Sequence, residues 1–392
     1  MTIKQLPLLA AACLLAACST TDHGARVAGQ RPSNLQSTEA SMWYEMSAFE
    51  KALPQSGRVI SDAALQARTS DIACTLAGDH CADMRVYIVR DPSFNASMAP
   101  NGMMLIHSGL LLRAETEDEV AFVLGHEFVH FLENHSLERY GAVRNANIAG
   151  TVVGTVLGGA GAGAFSSLGY AAAMGGAFSF SRDQELEADR MGLEFVRDKG
   201  FDPAGASAIW KNLLSELEAT SNKKKAKEIN RNGMFDTHPL IQERILLLDS
   251  AAVVPPQTDD ARRSYRALIR PHLQDWLLDV VADGDHGSAL ALTGRLQALE
   301  EDRGVIQYVR ARIYLMRGQD GDKAAAEAAL SDAILHADAP PAAWRELGML
   351  HRERGEAAKA AAFLRTYLDA NPSAPDRALI ESQISDLEET PT

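Results

Sequence analysis

The chain is poor in cysteine and in basic clusters, and each shortage excludes something. Only four of its 392 residues are cysteines. Two of them, Cys13 and Cys18, lie near the amino terminus. The other two, Cys74 and Cys81, have no second pair with which to complete a four-sulfur metal site. The densest basic run is "NKKKAK" at 222–227, in a chain of formal net charge −14, which argues against a nucleic-acid partner. No unbroken apolar helix of about 20 residues, the length needed to cross a membrane, is available between residues 147 and 180, because "GGAGAG" interrupts that stretch. It reads as two short helices with a glycine-rich tip, either covering a neighbouring site, touching a lipid surface or folding back as a buried hairpin. What is present is ordinary for a globular protein, with 46% hydrophobic and 23% charged residues and length enough for two domains.

The first residues have the pattern of an address. "MTIKQLPLLAAACLLAACST" carries one charge, Lys4, followed by an apolar run that ends in small residues, as in a bacterial export signal over 1–17. "LLAAC" at 14–18 resembles a lipobox, so Cys18 is expected to carry lipid, with Cys13 the weaker candidate. The absence of aspartate after Cys18 resembles lipoproteins of the Gram-negative outer membrane. An acyl anchor would hold the chain to that membrane from the periplasmic side without a spanning helix. Residues 18–38 are polar and read as a tether. Export implies an oxidising compartment, where Cys74 and Cys81 are expected to form a disulfide across a short loop.

The stretch "VLGHEFVHFLENHS", residues 123–136, carries the chemistry. Glu117, Asp118 and Glu119 precede it and complement the dipole of a helix start. On such a helix His126 and His130 lie four apart on one face, where two imidazoles can take adjacent corners of a metal tetrahedron. Glu127 points roughly 100° away, too far round for an easy ligand but within reach of a water held at the metal. Two core histidines satisfied by hydrogen bonds are the plain alternative, so a third ligand has to decide. Downstream, "FSRDQELEADRMGLEFV" (180–196) has helical periodicity, with Glu185 and Asp189 on one face. Glu185 is the candidate third ligand and Asp189 a partner for the far nitrogen of a ligand histidine. An ordinary acidic helix face is the alternative here.

"HEFVH" followed by "SRDQELEADRMG" resembles the zinc metallopeptidases related to HtpX, the CAAX prenyl endopeptidases and BepA. That family pairs HExxH with a later ExxxD, and "FDTHPLIQERI" (235–245) resembles a third family segment. The resemblance covers roughly residues 40–250. It implies one zinc ion held by His126, His130 and Glu185, with Glu187 the nearest competitor for the third place. It implies Glu127 as general base, Asp189 as orienting partner, and His238 and Arg244 close to the metal. His238 is then either a fourth ligand that shuts the site or a donor to the oxyanion. Arg244 is either such a donor or a salt bridge inside the domain.

Along the chain, helices are expected near 39–52 and over "SDAALQARTSDIACTLAG", followed by strands at 84–92 and 103–107 with a turn at Asn101-Gly102. In the resembled family this sheet flanks the metal helix and its edge holds extended substrate. His107 reads as a rim residue rather than a ligand. "DSAAVVPPQTDDARR" marks a linker, taken as 251–263. Beyond it, "AWRELGMLHRERGEAAKAAAFLRTYLDANPSA" resembles a tetratricopeptide repeat. Trp344, Leu347, Gly348, Gly355, Ala360 and Pro372 stand at its signature offsets, and a degenerate copy lies around Tyr308, Ala311 and Leu315. A weak third copy starts near Trp276.

The expected fold is therefore mainly α: an α+β zincin-type domain (39–250) with a small antiparallel sheet, then a tetratricopeptide-like helical domain (264–392) with a concave face for other proteins. The expected function is a zinc endopeptidase of the bacterial envelope, acting on misfolded or stalled envelope proteins, with the repeats meeting outer-membrane assembly machinery. A chaperone or scaffold with a shut zinc site is the rival reading.

Overall fold

A computed structural model describes residues 25–34, 37–138, 180–220, 238, 242–251 and 258–389. Cys13, Cys18, nearly all of the Gly/Ala-rich stretch and the "NKKKAK" run lie outside the described residues.

The amino-terminal half is built from α1 (Thr38–Ala52), α2 (Ala63–Ala77), β1 (Arg85–Val89), β2 (Ala96–Met98), β3 (Met103–His107), α3 (Ser108–Arg113), α4 (Glu117–Leu132), α5 (Arg182–Asp198), α6 (Ala204–Glu218) and α7 (Gln242–Ala251). The carboxy-terminal half holds α8 (Asp259–Ala282), α9 (His286–Leu296), α10 (Arg303–Arg317), α11 (Asp322–Ala333), α12 (Ala342–Glu353), α13 (Ala357–Ala370) and α14 (Arg377–Glu389). Among the described residues no helix is long and apolar enough to cross a membrane.

The sheet differs from the antiparallel one expected. Its order is β1-β3-β2, with β1 parallel to β3 and β2 antiparallel to β3. The reason is local. The turn at Asn101-Gly102 joins β3 to β2, a three-residue strand too short to stand out in the sequence. β1 therefore pairs with β3 across a crossover and not through a hairpin.

Helix α4 is the spine of this half. Thr116 caps it by accepting from the Glu119 amide, and every residue from Glu119 to Phe131 is buried. A helix buried all round sits at the centre of a core. Helix α5 starts with a capping box between Ser181 and Gln184, and it buries a single stripe: Glu185, Ala188, Asp189, Gly192, Leu193 and Val196. Gly192 explains how α5 comes so close to α4. A Cβ there would stand 3.2 Å from the His126 backbone nitrogen, a distance at which the helices would have to shift apart.

Within residues 25–34, which are otherwise mostly exposed, Arg26 is docked on the body and only 6% exposed. The Arg26 amide donates to the Leu132 carbonyl at 2.8 Å, and its guanidinium lies 4.7 Å from the Phe131 ring centroid. The segment thus closes the carboxy-terminal end of α4. Cys74 and Cys81 are disulfide-bonded between α2 and β1.

The stretch read as a linker is partly helical, since α8 begins at Asp259, capped by Thr258. The carboxy-terminal helices also do not stand off. Tyr265, Ile269, Leu273, Trp276 and Leu277 of α8 share one apolar core with α2, α3 and α4. Tyr265 Oη donates to the Leu111 carbonyl at 2.6 Å, and Arg90 grips Asp279 through two nitrogens. Farther on, α10 packs on α11 and α12 on α13. Gly348 permits the second pair, because a Cβ there would lie 2.7 Å from the Leu364 side chain.

Candidate metal centre

Four side chains from three places in the sequence converge between α4, α5 and the segment before α7. They are His126, His130, Glu185 and His238, each buried, and one ligand atom of each lies within 4.8 Å of all the others. His126 Nε2 stands 3.1 Å from His130 Nε2 and 3.1 Å from His238 Nδ1. Glu185 Oε1 is 2.9 Å from His238 Nδ1 and 3.5 Å from His130 Nε2. A metal with four ligands at about 2.0–2.1 Å in a tetrahedron separates them by about 3.3 Å, so the spacing fits such an ion.

The chemistry of the donors agrees. Imidazole lone pairs and a carboxylate oxygen do not converge in a dry interior unless protons or a cation stand among them. Burial disfavours charge on His130 and lowers its pKa. Burial works against the Glu185 charge, but His238, His130 and His126 outweigh it and hold its carboxyl well below the usual range. A neutral histidine and an ionised glutamate are the states a metal requires.

Around the donors stands a set of orienting contacts. His126 Nδ1 pairs with Asp189 Oδ1 at 2.9 Å, which leaves Nε2 to face the cluster. Asp189 is held in turn by Arg244, through Nε at 2.6 Å and Nη2 at 2.8 Å. Burial opposes ionisation of Asp189, and Arg244 and His126 overcome it. Arg244 also reaches Glu185 Oε2 with Nη1 at 2.5 Å and lies over the Trp210 ring at 5.2 Å. The guanidinium is fully buried and committed to two carboxylates. Of the two places the sequence left open for Arg244, these contacts are those of the salt bridge inside the domain.

Glu127 lies outside the donor group. Its Oε1 is buried, has no hydrogen-bond partner among the described residues, and faces His238 Nε2 at 3.4 Å. Burial raises its pKa, although His238 and His126 work against the rise. His238 therefore has one nitrogen toward the donors and the other toward Glu127.

Two further residues have places of their own. Glu187, the competitor for the third ligand place, is 40% exposed at its side chain and turns away to His135. His135 itself received no role, yet its Nδ1 lies 2.9 Å from His130 Nδ1. Its signal was its place in the same stretch, five residues after His130. The turn that brings it back, with Asn134 at φ 59°, has no helical period to announce it. His107 is not among the donors. It is buried beside Ser93 Oγ, 2.8 Å from its Nδ1.

Comparison with known proteins agrees with this geometry. Residues 60–252 match the model of Peptidase family M48. The chain is 28% identical over 208 residues to the putative beta-barrel assembly-enhancing protease of Vibrio cholerae, a match covering 50% of this chain and 41% of that protein. It is 29% identical over 178 residues to the mitochondrial metalloendopeptidase OMA1 of Schizosaccharomyces pombe, covering 45% and 49%. It is 29% identical over 163 residues to metalloprotease LoiP of Escherichia coli, covering 41% and 58%. The chain thus spans about half the length of these relatives.

Proposed function

We propose, from the premise that residues 60–252 are a Peptidase family M48 domain, that this chain is a zinc-dependent endopeptidase of the bacterial cell envelope. The observation that carries the reading is the buried four-donor group with Glu127 beside it. His126, His130 and Glu185 would hold the zinc, and Asp189 and Arg244 fix two of those ligands. Zinc, when bound, supplies a Lewis acid that polarises a peptide carbonyl and makes water acidic near neutrality. Glu127 takes the proton from the attacking water and later delivers it to the leaving amine. Its carboxyl, buried beside the donor group and with a pKa raised by that burial, suits both steps.

His238 is best read as the fourth ligand of a shut resting state. Its ring lies between Glu127 and the other three donors, so a substrate carbonyl and its water need His238 to move aside. The relatives named as beta-barrel assembly-enhancing proteases support misfolded or stalled outer-membrane proteins as substrates. The helical region, with its repeat-like pairs, would present the surface for those proteins or for assembly machinery. Cys18 would carry the lipid that holds the chain to the outer membrane. One observation favours the rival scaffold reading, namely that all four donors are buried.

The deciding experiment measures zinc content and cleavage of unfolded casein, wild type beside Glu127→Gln. About one zinc per chain and cleavage lost only in the variant support the enzyme. Zinc present with no cleavage by the wild type or by His238→Ala sinks the enzyme and leaves the scaffold.

A further inference from the structure

The two ligand histidines of α4 are held from behind in different ways. His126 pairs through Nδ1 with Asp189, an anion sealed in by Arg244. His130 has no carboxylate behind it among the described residues. Its Nδ1 meets His135 Nδ1 at 2.9 Å, and His135 Nε2 faces Glu187 Oε2 at 3.3 Å. Phe180 stacks on the His130 ring with centroids 3.8 Å apart, which fixes the ring plane but supplies no acceptor.

We infer that His135, backed by Glu187, is the positioning residue for His130: it accepts the Nδ1 proton and so keeps Nε2 aimed at the metal. The direction of the chain follows from the donors. His130 faces the cluster with Nε2, so a neutral ring carries its proton on Nδ1 and must donate it. His135 is then an acceptor at Nδ1 and carries its own proton on Nε2, where Glu187 is the acceptor. Each step has one donor and one acceptor, and the last one reaches the surface, since Glu187 is 40% exposed. Among the described residues His135 meets the donor group only at the Nδ1 of His130, so it acts through His130. Residue spacing alone would have made Glu187 a rival ligand. The structure gives it the outer end of this relay.

The inference rests on the metal-centre reading, and the test separates the two. Zinc affinity is measured by competition with a chromophoric chelator, with cobalt spectra of the same variants and circular dichroism as the folding check. His135→Phe removes the acceptor and is expected to weaken zinc binding about 10- to 100-fold. His135→Asn returns an amide oxygen near the place of Nδ1 and is expected to restore affinity to within about threefold of wild type, with the cobalt spectrum recovered. Glu187→Leu should weaken binding by less than about tenfold. Wild-type affinity in folded His135→Phe, or an Asn variant as weak as the Phe variant, overturns the inference. If His135→Phe does not fold, an unchanged affinity in Glu187→Leu overturns it. A wild type that takes up no zinc overturns the metal reading, and the inference with it.

Discussion

Two of the buried groups of charged side chains among the described residues differ in how their charges match. Between α3, α6 and α9, Glu216 takes Arg113 on one oxygen and Arg295 on the other, each at 2.8 Å. Glu115 takes Arg295 at 2.6 Å and Arg262 at 2.5 Å. Every oxygen of these two carboxylates meets a guanidinium, with Arg295 shared between them. In the cleft the match fails. Glu127, Glu185 and Asp189 face one guanidinium, Arg244, and three imidazole nitrogens converge on each other and on Glu185. The carboxylates outnumber the guanidinium, and the donors that converge with them could hold a cation. A matched buried network is a joint; a mismatched one is a site.

That contrast can be broken first in the cleft, where the largest effect is expected. Glu127→Gln should keep its zinc and lose about 10²–10⁴-fold in turnover. His126→Ala or Glu185→Ala should lose metal and activity together. Full zinc in Glu185→Ala, with loss in Glu187→Ala, would reverse the ligand assignment.

At the joint the expected loss is in stability. Glu216→Ala leaves Arg113 and Arg295 short of a partner and should cost about 3–5 kcal/mol in urea unfolding. Its zinc content should stay at the wild-type level at temperatures where it remains folded. A loss below about 1 kcal/mol would mean that the pair behaves as an exposed one.

His238→Ala sharpens the comparison from the other side. If the imidazole shuts the cleft, cleavage of an unfolded substrate should rise, with zinc retained. A fall of about 100-fold or more with zinc retained would make His238 a transition-state donor instead.

The smallest effect, per pH unit, concerns Glu119 at the start of α4. Burial raises its pKa from 4.5 to about 8, against the hydrogen bond from the Glu115 amide. The native state then holds this proton more tightly than the unfolded chain. Its contribution is therefore complete below about pH 4.5 and is lost as pH rises to about 8. The slope inside that window is about 1.4 kcal/mol per pH unit. Glu119→Gln should flatten this part of the stability profile. An unchanged profile would show that Glu119 ionises freely.

How much of this was legible in the sequence follows from the range of each signal. Helical period alone put His126 with His130 and Glu185 with Asp189, because a face repeats every turn. The order of the strands was not legible, since pairing depends on partners that a local alternation does not name. The role of Arg244 stayed open because only burial separates a positioning guanidinium from a reacting one. The joint was out of reach altogether: Arg295 and Glu115 are 180 residues apart, and nothing near either residue announces the other. His135 failed for the opposite reason. It stood inside the quoted stretch, but a non-helical turn aims it.

The docking of Arg26 has a mechanical consequence. Its amide and guanidinium hold the last carbonyls of α4, the helix that bears both ligand histidines. A tension applied to the chain upstream of Arg26 enters the folded body there, at one end of that helix. The load falls on a pair of hydrogen bonds and on a cation that rests on the Phe131 ring and also faces Glu39 of α1. Whatever pulls on the amino terminus pulls on the helix of His126 and His130.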